Sequence, residues 1–483
     1  MGGIDLQLLP VLPEIFVATM ACLILVVDLY LPKRHRYMTY WACVATLLVA
    51  AWMSMAGFST ASIKVLNGMF VDDALSDLVK VAVYLVTIAV YVYSREYIRA
   101  RDFDRGEYYV LGLFGVVGMM VMASASHFLT LYLGLELLSL CLYAMVAFQR
   151  DSVLATEASM KYFVLGALAS GILLYGMSII YGLTGSLAID EVRVAVGAMP
   201  ADSLPLILGL VFIVAGLMFK VGAVPFHMWL PDVYHGAPTS TTAYLGAAPK
   251  LAGFAIIVRL LVGGLEDIAG LWQQMLIATA VLSIVVGNVV AIAQTNIKRM
   301  LAYSTISHMG FFLLGILSAT DNGYSSALFY VLVYAFMSSG AFGIILLMSR
   351  HGFEADQLED LRGLNQKNPW YALLMLLLMF SMAGVPPTVG FYAKLSVIQA
   401  VLEVGLVWLA VVAVLFAVVG AFYYLRIVKL MYFDDPVDQE RVHAPIDARV
   451  IIGINGLAVI AIMPWVGFLF ELCNAAIGGL NYR

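Results

Sequence analysis

Charge is scarce in this chain. Only 12% of its 483 residues are Asp, Glu, Lys or Arg, about half the share found in soluble proteins, and that excludes a water-soluble globule of ordinary composition. Cysteine is scarcer still: Cys22, Cys43, Cys141 and Cys473 stand apart, with no CxxC and no Cys/His pair. Such spacing offers no zinc, haem or iron–sulfur ligand set and leaves small buried thiols as the plain reading. No GxGxxG, Walker loop, HExxH or GxSxG is present, so the usual sequence marks of nucleotide, metalloprotease and hydrolase sites are missing. The net charge is -5 and the basic residues are scattered, which leaves no footprint for nucleic acid.

What the chain has is apolar length, with 63% of residues hydrophobic. Runs of about 18 or more apolar residues recur throughout, each long enough to cross a hydrocarbon core roughly 30 Å thick. The pattern predicts spans near 8–30, 38–57, 75–94, 108–125, 127–148, 157–182, 203–224, 239–262, 269–293, 298–319, 323–349, 370–390, 405–430 and 450–474. The expected fold is therefore an all-α polytopic membrane protein of about fourteen transmembrane helices. The first span has too long an apolar core for a signal peptide, is followed rather than preceded by basic residues, and lacks a small-residue cleavage site, so it is expected to remain as an anchor.

Loop charge gives the orientation. Loops after odd-numbered spans hold Lys33, Arg34, Arg36, Arg95, Arg99, Arg101, Arg105, Arg150, Lys298, Arg299, Arg350, Arg362, Lys367, Lys429, Arg441 and Arg449, whereas loops after even-numbered spans hold only Lys64 and Arg193. The positive-inside rule makes the first set cytoplasmic and places both termini outside. Lys80 and Arg259 lie near the outer ends of their spans, where long basic side chains are expected to snorkel to the interface.

Other polar residues resist that excuse. Glu136 stands inside LTLYLGLELLSLCLYAMVAF, too deep for its short side chain to reach water. Lys161 opens KYFVLGALASGILLYG, Lys220 ends LPLILGLVFIVAGLMFK, and Lys250 lies between TTAYLGAAP and LAGFAIIV. A charge at the bilayer centre costs about 2.5–3.5 kcal/mol even on lenient insertion scales, so such residues face a bundle interior and mark ion paths. A static Glu–Lys pair gluing helices is the plainer alternative, but four lysines, counting Lys394, outnumber the one buried carboxylate. Desolvation disfavours an ammonium and a nearby carboxylate restores it, so a buried lysine held near neutrality takes up and releases a proton. His308, in LAYSTISHMGFF, is either a further proton carrier or a core histidine hydrogen-bonded near Ser304 and Ser307.

Two segments break the helical pattern. VGAVPFHMWLPDVYHGAPTS follows Lys220, and GVPPTVGFYAK delivers Lys394 just after its prolines; no regular helix runs through either. Gly222-Ala223-Val224-Pro225 and Gly384-Val385-Pro386 match at a separation of about 162 residues, and EASMKYFVLGALASG echoes SSALFYVLVYAFMSSG. Interrupted spans at matching positions point to a transporter-like site, because irregular backbone at membrane depth survives only inside protein or beside water. The expected organisation is an N-terminal part over 1–107, inverted repeats of five helices over 108–265 and 266–435, and a last helix over 436–483.

The stretches Phe219-Lys220-Val221-Gly222-Ala223-Val224-Pro225-Phe226-His227-Met228-Trp229-Leu230-Pro231-Asp232, His235-Gly236-Ala237-Pro238-Thr239 and Asn296-Ile297-Lys298-Arg299-Met300-Leu301-Ala302-Tyr303-Ser304-Thr305-Ile306-Ser307-His308-Met309-Gly310 resemble those of the antiporter-like subunits of respiratory complex I. These subunits are also similar to those of multisubunit cation/proton antiporters. The resemblance covers nearly the whole chain. It implies a proton-translocating subunit of a bacterial inner-membrane NADH:quinone oxidoreductase, working beside other membrane subunits and neighbouring antiporter-like ones. It implies that Glu136 pairs with Lys220, that Lys161 lies near that pair, that Lys250 is the central relay, that His308 continues the axis and that Lys394 serves a second half-channel. It further implies no cofactor in this chain, with FMN and iron–sulfur clusters held by other subunits. A sodium/proton antiporter or membrane-bound hydrogenase subunit, and a structural scaffold, are the competing readings.

Overall fold

The computed structural model describes residues 8–101, 103–436, 442 and 444–480. Arg441 and both chain ends, including Arg483, lie outside the described residues, as does the side chain of Lys33. Nearly everything described is helical: α1 (Leu12–Tyr30), α2 (Tyr37–Ala56), α3 (Ala74–Ala100), α4 (Gly106–Ala123), α5 (Phe128–Val146), α6 (Val153–Thr184), α7 (Ile189–Gly197), α8 (Leu204–Val221), α9 (Trp229–Gly236) and α10 (Thr239–Ile257) make up the first part. The second part holds α11 (Ala269–Ile292), α12 (Ile297–Leu317), α13 (Asp321–Met348), α14 (Leu364–Lys367), α15 (Pro369–Ala383), α16 (Val389–Glu403), α17 (Val407–Phe433), α18 (Ile446–Ala461) and α19 (Val466–Gly478).

Among the described residues, 12 helices are long and apolar enough to cross a membrane, and α18 with α19, bent by 59° at their break, is apolar enough to make a thirteenth if the pair is one span. The remaining predicted span is α15 with α16, interrupted at residues 384–388. Every span expected from hydropathy thus falls on helix. Two features were not foreseen: the short helix α7, and an antiparallel hairpin of β1 (Ile63–Val65) and β2 (Phe70–Asp72), paired Ile63 with Asp72 and Val65 with Phe70. Both are too short and too polar for a hydropathy window to register.

Small residues let the helices approach closely. A Cβ on Gly118 of α4 would sit 2.7 Å from the Gly134 carbonyl oxygen of α5, and one on Gly287 of α11 would sit 2.6 Å from the Ser307 amide of α12. Close backbone approach at glycine is how helices gain dispersion contact where lipid removes the hydrophobic drive. In α10 and α12, 94% of the apolar window is buried, against 33% in α1 and α17. The buried lysines and the histidine therefore lie on or beside a few central helices while the outer ones face lipid.

Candidate functional site

The two breaks have the same local construction. Gly222 ends α8 with φ +83°, and Gly384 ends α15 with φ +85°; this left-handed region favours glycine. The Ala223 amide donates to the Met218 carbonyl at 2.8 Å, and the Val385 amide to the Phe380 carbonyl at 2.9 Å. Each half-helix thus closes neatly but leaves its last carbonyls at the negative end of a helix dipole.

Both central lysines use those carbonyls. Lys250 of α10 is 3% exposed, and its Nζ donates to the Val221 carbonyl at 2.9 Å. Lys394 of α16 is 9% exposed, and its Nζ donates to the Ala383 carbonyl at 2.9 Å. Each ammonium also faces an aromatic ring: Lys250 lies 5.6 Å from the Trp229 centroid, and Lys394 lies 5.0 Å from that of Phe311. Trp229 is itself fixed, stacking on Tyr162 at 4.6 Å and donating its indole N–H to the Phe219 carbonyl at 3.0 Å. Dipole end and ring face are the stabilisation left to a cation with no carboxylate beside it.

Lys220 immediately precedes Val221, so its backbone adjoins the acceptor of Lys250. Its Nζ donates to the hydroxyls of Ser139 at 3.0 Å and Ser170 at 2.8 Å. It makes no direct ion pair with Glu136. Glu136 lies one turn from Ser139 on α5 and keeps its Oε1 buried without a hydrogen-bond partner. Lys220 thus meets two serine hydroxyls, one of them a turn from Glu136, and not the carboxylate itself. Lys161 is placed differently from the sequence expectation: its side chain is 44% exposed and pairs with Glu157 and Asp232, each at 2.9 Å. It braces α6 against α9, away from the buried residues.

His308 of α12 is buried and meets two tyrosine hydroxyls, Tyr330 at 2.6 Å from Nδ1 and Tyr424 at 3.0 Å from Nε2. Tyr424 in turn shares a hydrogen bond with Ser304, and Tyr334 donates to Thr305 at 2.8 Å. Phe311, one turn along α12, carries the ring beneath Lys394. Tyr330, Tyr334 and Tyr424 were not singled out in the sequence because tyrosine is grouped with the apolar residues. The four-residue step from Tyr330 to Tyr334 was the available signal.

Three cations depart from their expected settings. Lys80 does not snorkel; it is buried against Glu14, with Nζ to Oε1 at 2.8 Å. Arg259 is fully buried and holds Asp73 at both oxygens, 2.7 and 2.8 Å, while also donating to the Ala123 carbonyl. In each case a carboxylate from another segment meets the cation inside the protein, which removes any need to reach water. Lys298, counted above among loop cations, lies in the first turn of α12, buried, and donates to the Ala237 carbonyl at 3.1 Å. Among the described residues no group of three or more His, Cys, Asp and Glu is gathered to hold a metal ion.

Near Lys298, Glu354 straps the loop after α13 to the start of α10. It accepts from Tyr97 at 2.8 Å and Arg101 Nε at 2.9 Å, and from the Thr239 hydroxyl. Burial pushes its carboxyl up, but the charges of Lys298 and Arg101 and the two hydroxyls outweigh that and hold it below the usual carboxylate value. A depressed folded-state pKa contributes stability that is present above the ordinary carboxylate range and lost as pH falls through the folded value. Glu354→Gln removes the charge at neutral pH, and charge-assisted hydrogen bonds are each worth about 1.5–3 kcal/mol. Protection from amide exchange over residues 349–358, relative to the intrinsic rate at each pH, is therefore expected to fall by about tenfold or more, and acidification of the unsubstituted protein to lower that protection likewise.

The family model for the NADH:quinone oxidoreductase/Mrp antiporter TM region matches residues 125–420. The chain is 59% identical over 473 residues to NADH-quinone oxidoreductase subunit N of Thiobacillus denitrificans, covering 98% of both chains. It is 61% identical over 470 residues to the subunit N of Thioalkalivibrio sulfidiphilus, covering 97% of this chain and 98% of that one. Among solved structures it is similar to a chain of respiratory complex I from Thermus thermophilus with bound aureothin, with TM-score 0.83, 29% identity and coverage of 96% and 100%. A chain of the Mrp complex from Dietzia sp. shares the fold, with TM-score 0.87 at 22% identity over 98% of each chain.

Proposed function

We infer the function of this chain from its family: it belongs to the NADH:quinone oxidoreductase/Mrp antiporter membrane subunits and, within them, to subunit N of NADH-quinone oxidoreductase. It is a proton-translocating membrane subunit of bacterial respiratory complex I, spanning the inner membrane beside the other membrane subunits of that complex. The complex as a whole is the translocase.

We propose that Glu136, Lys220, Lys250, His308 and Lys394 carry the proton, with Lys161 as an outlying member. The observation that supports this most is the paired setting of Lys250 and Lys394, each an enclosed ammonium held by the last carbonyl of a broken half-helix. A carboxylate at Glu136 attracts the ammonium at Lys220; protonating Glu136 removes that attraction and frees the lysine to pass its proton on. The His308–Tyr424–Ser304 chain offers hydroxyl and imidazole groups able to give and take protons in sequence beside Lys394. The two breaks serve as counterparts in five-helix repeats over 108–265 and 266–435, flanked by 1–107 and 436–483. Both termini face the outside, as the loop cations suggest. Redox chemistry, with FMN and iron–sulfur clusters, stays in other subunits.

Lys220→Met and Lys394→Met in the assembled complex are the test. Each is expected to lower the protons moved per NADH oxidised, read in proteoliposomes with a pH-sensitive dye. Unchanged stoichiometry with normal turnover in both variants would overturn the relay.

A further inference from the structure

At the end of the bundle where α3 begins, the predicted outer side, carboxylates outnumber their counter-charges among the described residues. Arg259, in the π-helical stretch Val258–Gly264 that continues α10, holds Asp73 at both oxygens. That leaves Lys80 of α3 to face Glu14 of α1 at 2.8 Å, with Asp77 one turn before it on α3 and Asp72 at the end of β2. Glu14 is 5% and Asp77 4% exposed, and the Phe70 ring closes the remaining approach to Lys80, 5.2 Å from its Nζ. Ser54 of α2 and Tyr84 of α3 add hydroxyls that are buried without a hydrogen-bond partner among the described residues. A pocket between the segments at Leu9–Pro13 and Trp52–Gly57 reaches Asp72, Asp77 and Ser54, and its rim residues Leu9 and Gly57 are exposed.

One ammonium cannot neutralise two enclosed carboxylates and a third beside them, because like charges out of water repel and the least costly relief is to bind a proton. We propose that Glu14 and Asp77, gathered about Lys80, form a proton-binding site at the outer end of the N-terminal helices, reached from the surface through the pocket beside Trp52. The shared proton moves between carboxyl oxygens without changing any heavy-atom bond, and Ser54 and Tyr84 offer hydroxyls to the protonated form. The site lies outside the segment that the family model matches, and Asp73, four residues before Asp77, ties it to the helix carrying Lys250. The inference rests on the proton-translocating reading only for its service as an outer release station; the binding itself needs no turnover.

Infrared difference spectra of the purified complex between about pH 6 and about pH 9, without NADH, test it. Unsubstituted protein minus Asp77→Asn, or minus Glu14→Gln, is expected to show a protonated-carboxyl C=O band that shifts in deuterium oxide; subtraction of Asp202→Asn, at an exposed position, is expected to show none. Absence of the band from both site subtractions would overturn the proposal. Should neither variant assemble, dicyclohexylcarbodiimide, which attacks protonated carboxyls in apolar surroundings, decides on the unsubstituted complex. An adduct on Glu14 or Asp77 supports the site, and none on either across that pH range overturns it. Neither readout involves NADH oxidation, so failure here is distinct from failure of the relay.

Discussion

Lys250→Met is expected to cut proton transfer through this chain by about 10²-fold or more, the scale on which a positioned proton carrier contributes. The side chain is 3% exposed and has a carbonyl and an aromatic ring as its neighbours, with no carboxylate in ion-pair contact. Methionine fills nearly the same volume and is flexible enough to lie against Trp229. The Val221 carbonyl loses one donor, a cost of about 1–3 kcal/mol, but the expense of enclosing an ammonium disappears at the same time. The variant should therefore assemble normally and fail in function. Lys250→Arg sharpens the result, since guanidinium keeps the charge but does not release its proton. If charge alone mattered, Arg would rescue; if proton release matters, Arg fails as Met does. Protons moved per NADH in proteoliposomes separate the outcomes, and full activity in the Met variant would remove Lys250 from the pathway.

The second large effect concerns stability. Asp73 and Arg259 are both fully enclosed, with side-chain exposures of 1% and 0%. Breaking a buried ion pair by removing one member costs about 3–5 kcal/mol, whereas replacing both with apolar residues is often near neutral. Arg259→Met and Asp73→Leu should each lower the denaturation temperature and the yield of assembled complex. The double variant should recover much of the loss. Recovery will be incomplete, because Asp73 also caps α3 by accepting from the Ser76 amide at 2.8 Å and Arg259 also serves the Ala123 carbonyl. Additive losses in the double variant would show that the pair acts through something other than its mutual charge.

The spans and the helix breaks were legible because both follow from local chemistry. Apolar length is a property of one segment, and Gly222-Ala223-Val224-Pro225 or Gly384-Val385-Pro386 interrupts a helix wherever it lies. Lys250 and His308 stood out as polar groups inside apolar runs and Lys220 and Lys394 by their place beside the breaks, and Lys250, Lys394 and His308 are buried. Partners were not legible. Position along a span says how far Lys80 or Arg259 lies from water, but it does not reveal that Glu14 or Asp73 arrives from another segment. Lys161 was misplaced because α6 is apolar around most of its surface, so its lipid-facing and protein-facing sides look alike in sequence. The tyrosines around His308 were hidden by a grouping that counts the ring as apolar and ignores the hydroxyl.

The two lysine–carbonyl bonds differ in what they join. Lys394 and its acceptor Ala383 belong to the two halves of one interrupted span, so their separation follows the angle at that hinge. Lys250 belongs to α10 while its acceptor Val221 ends α8, so that bond follows the sliding of one span past another. One station thus gauges flexing and the other gauges shear, and a mechanical disturbance arriving from a neighbouring subunit would reach the two ammonium groups as different displacements.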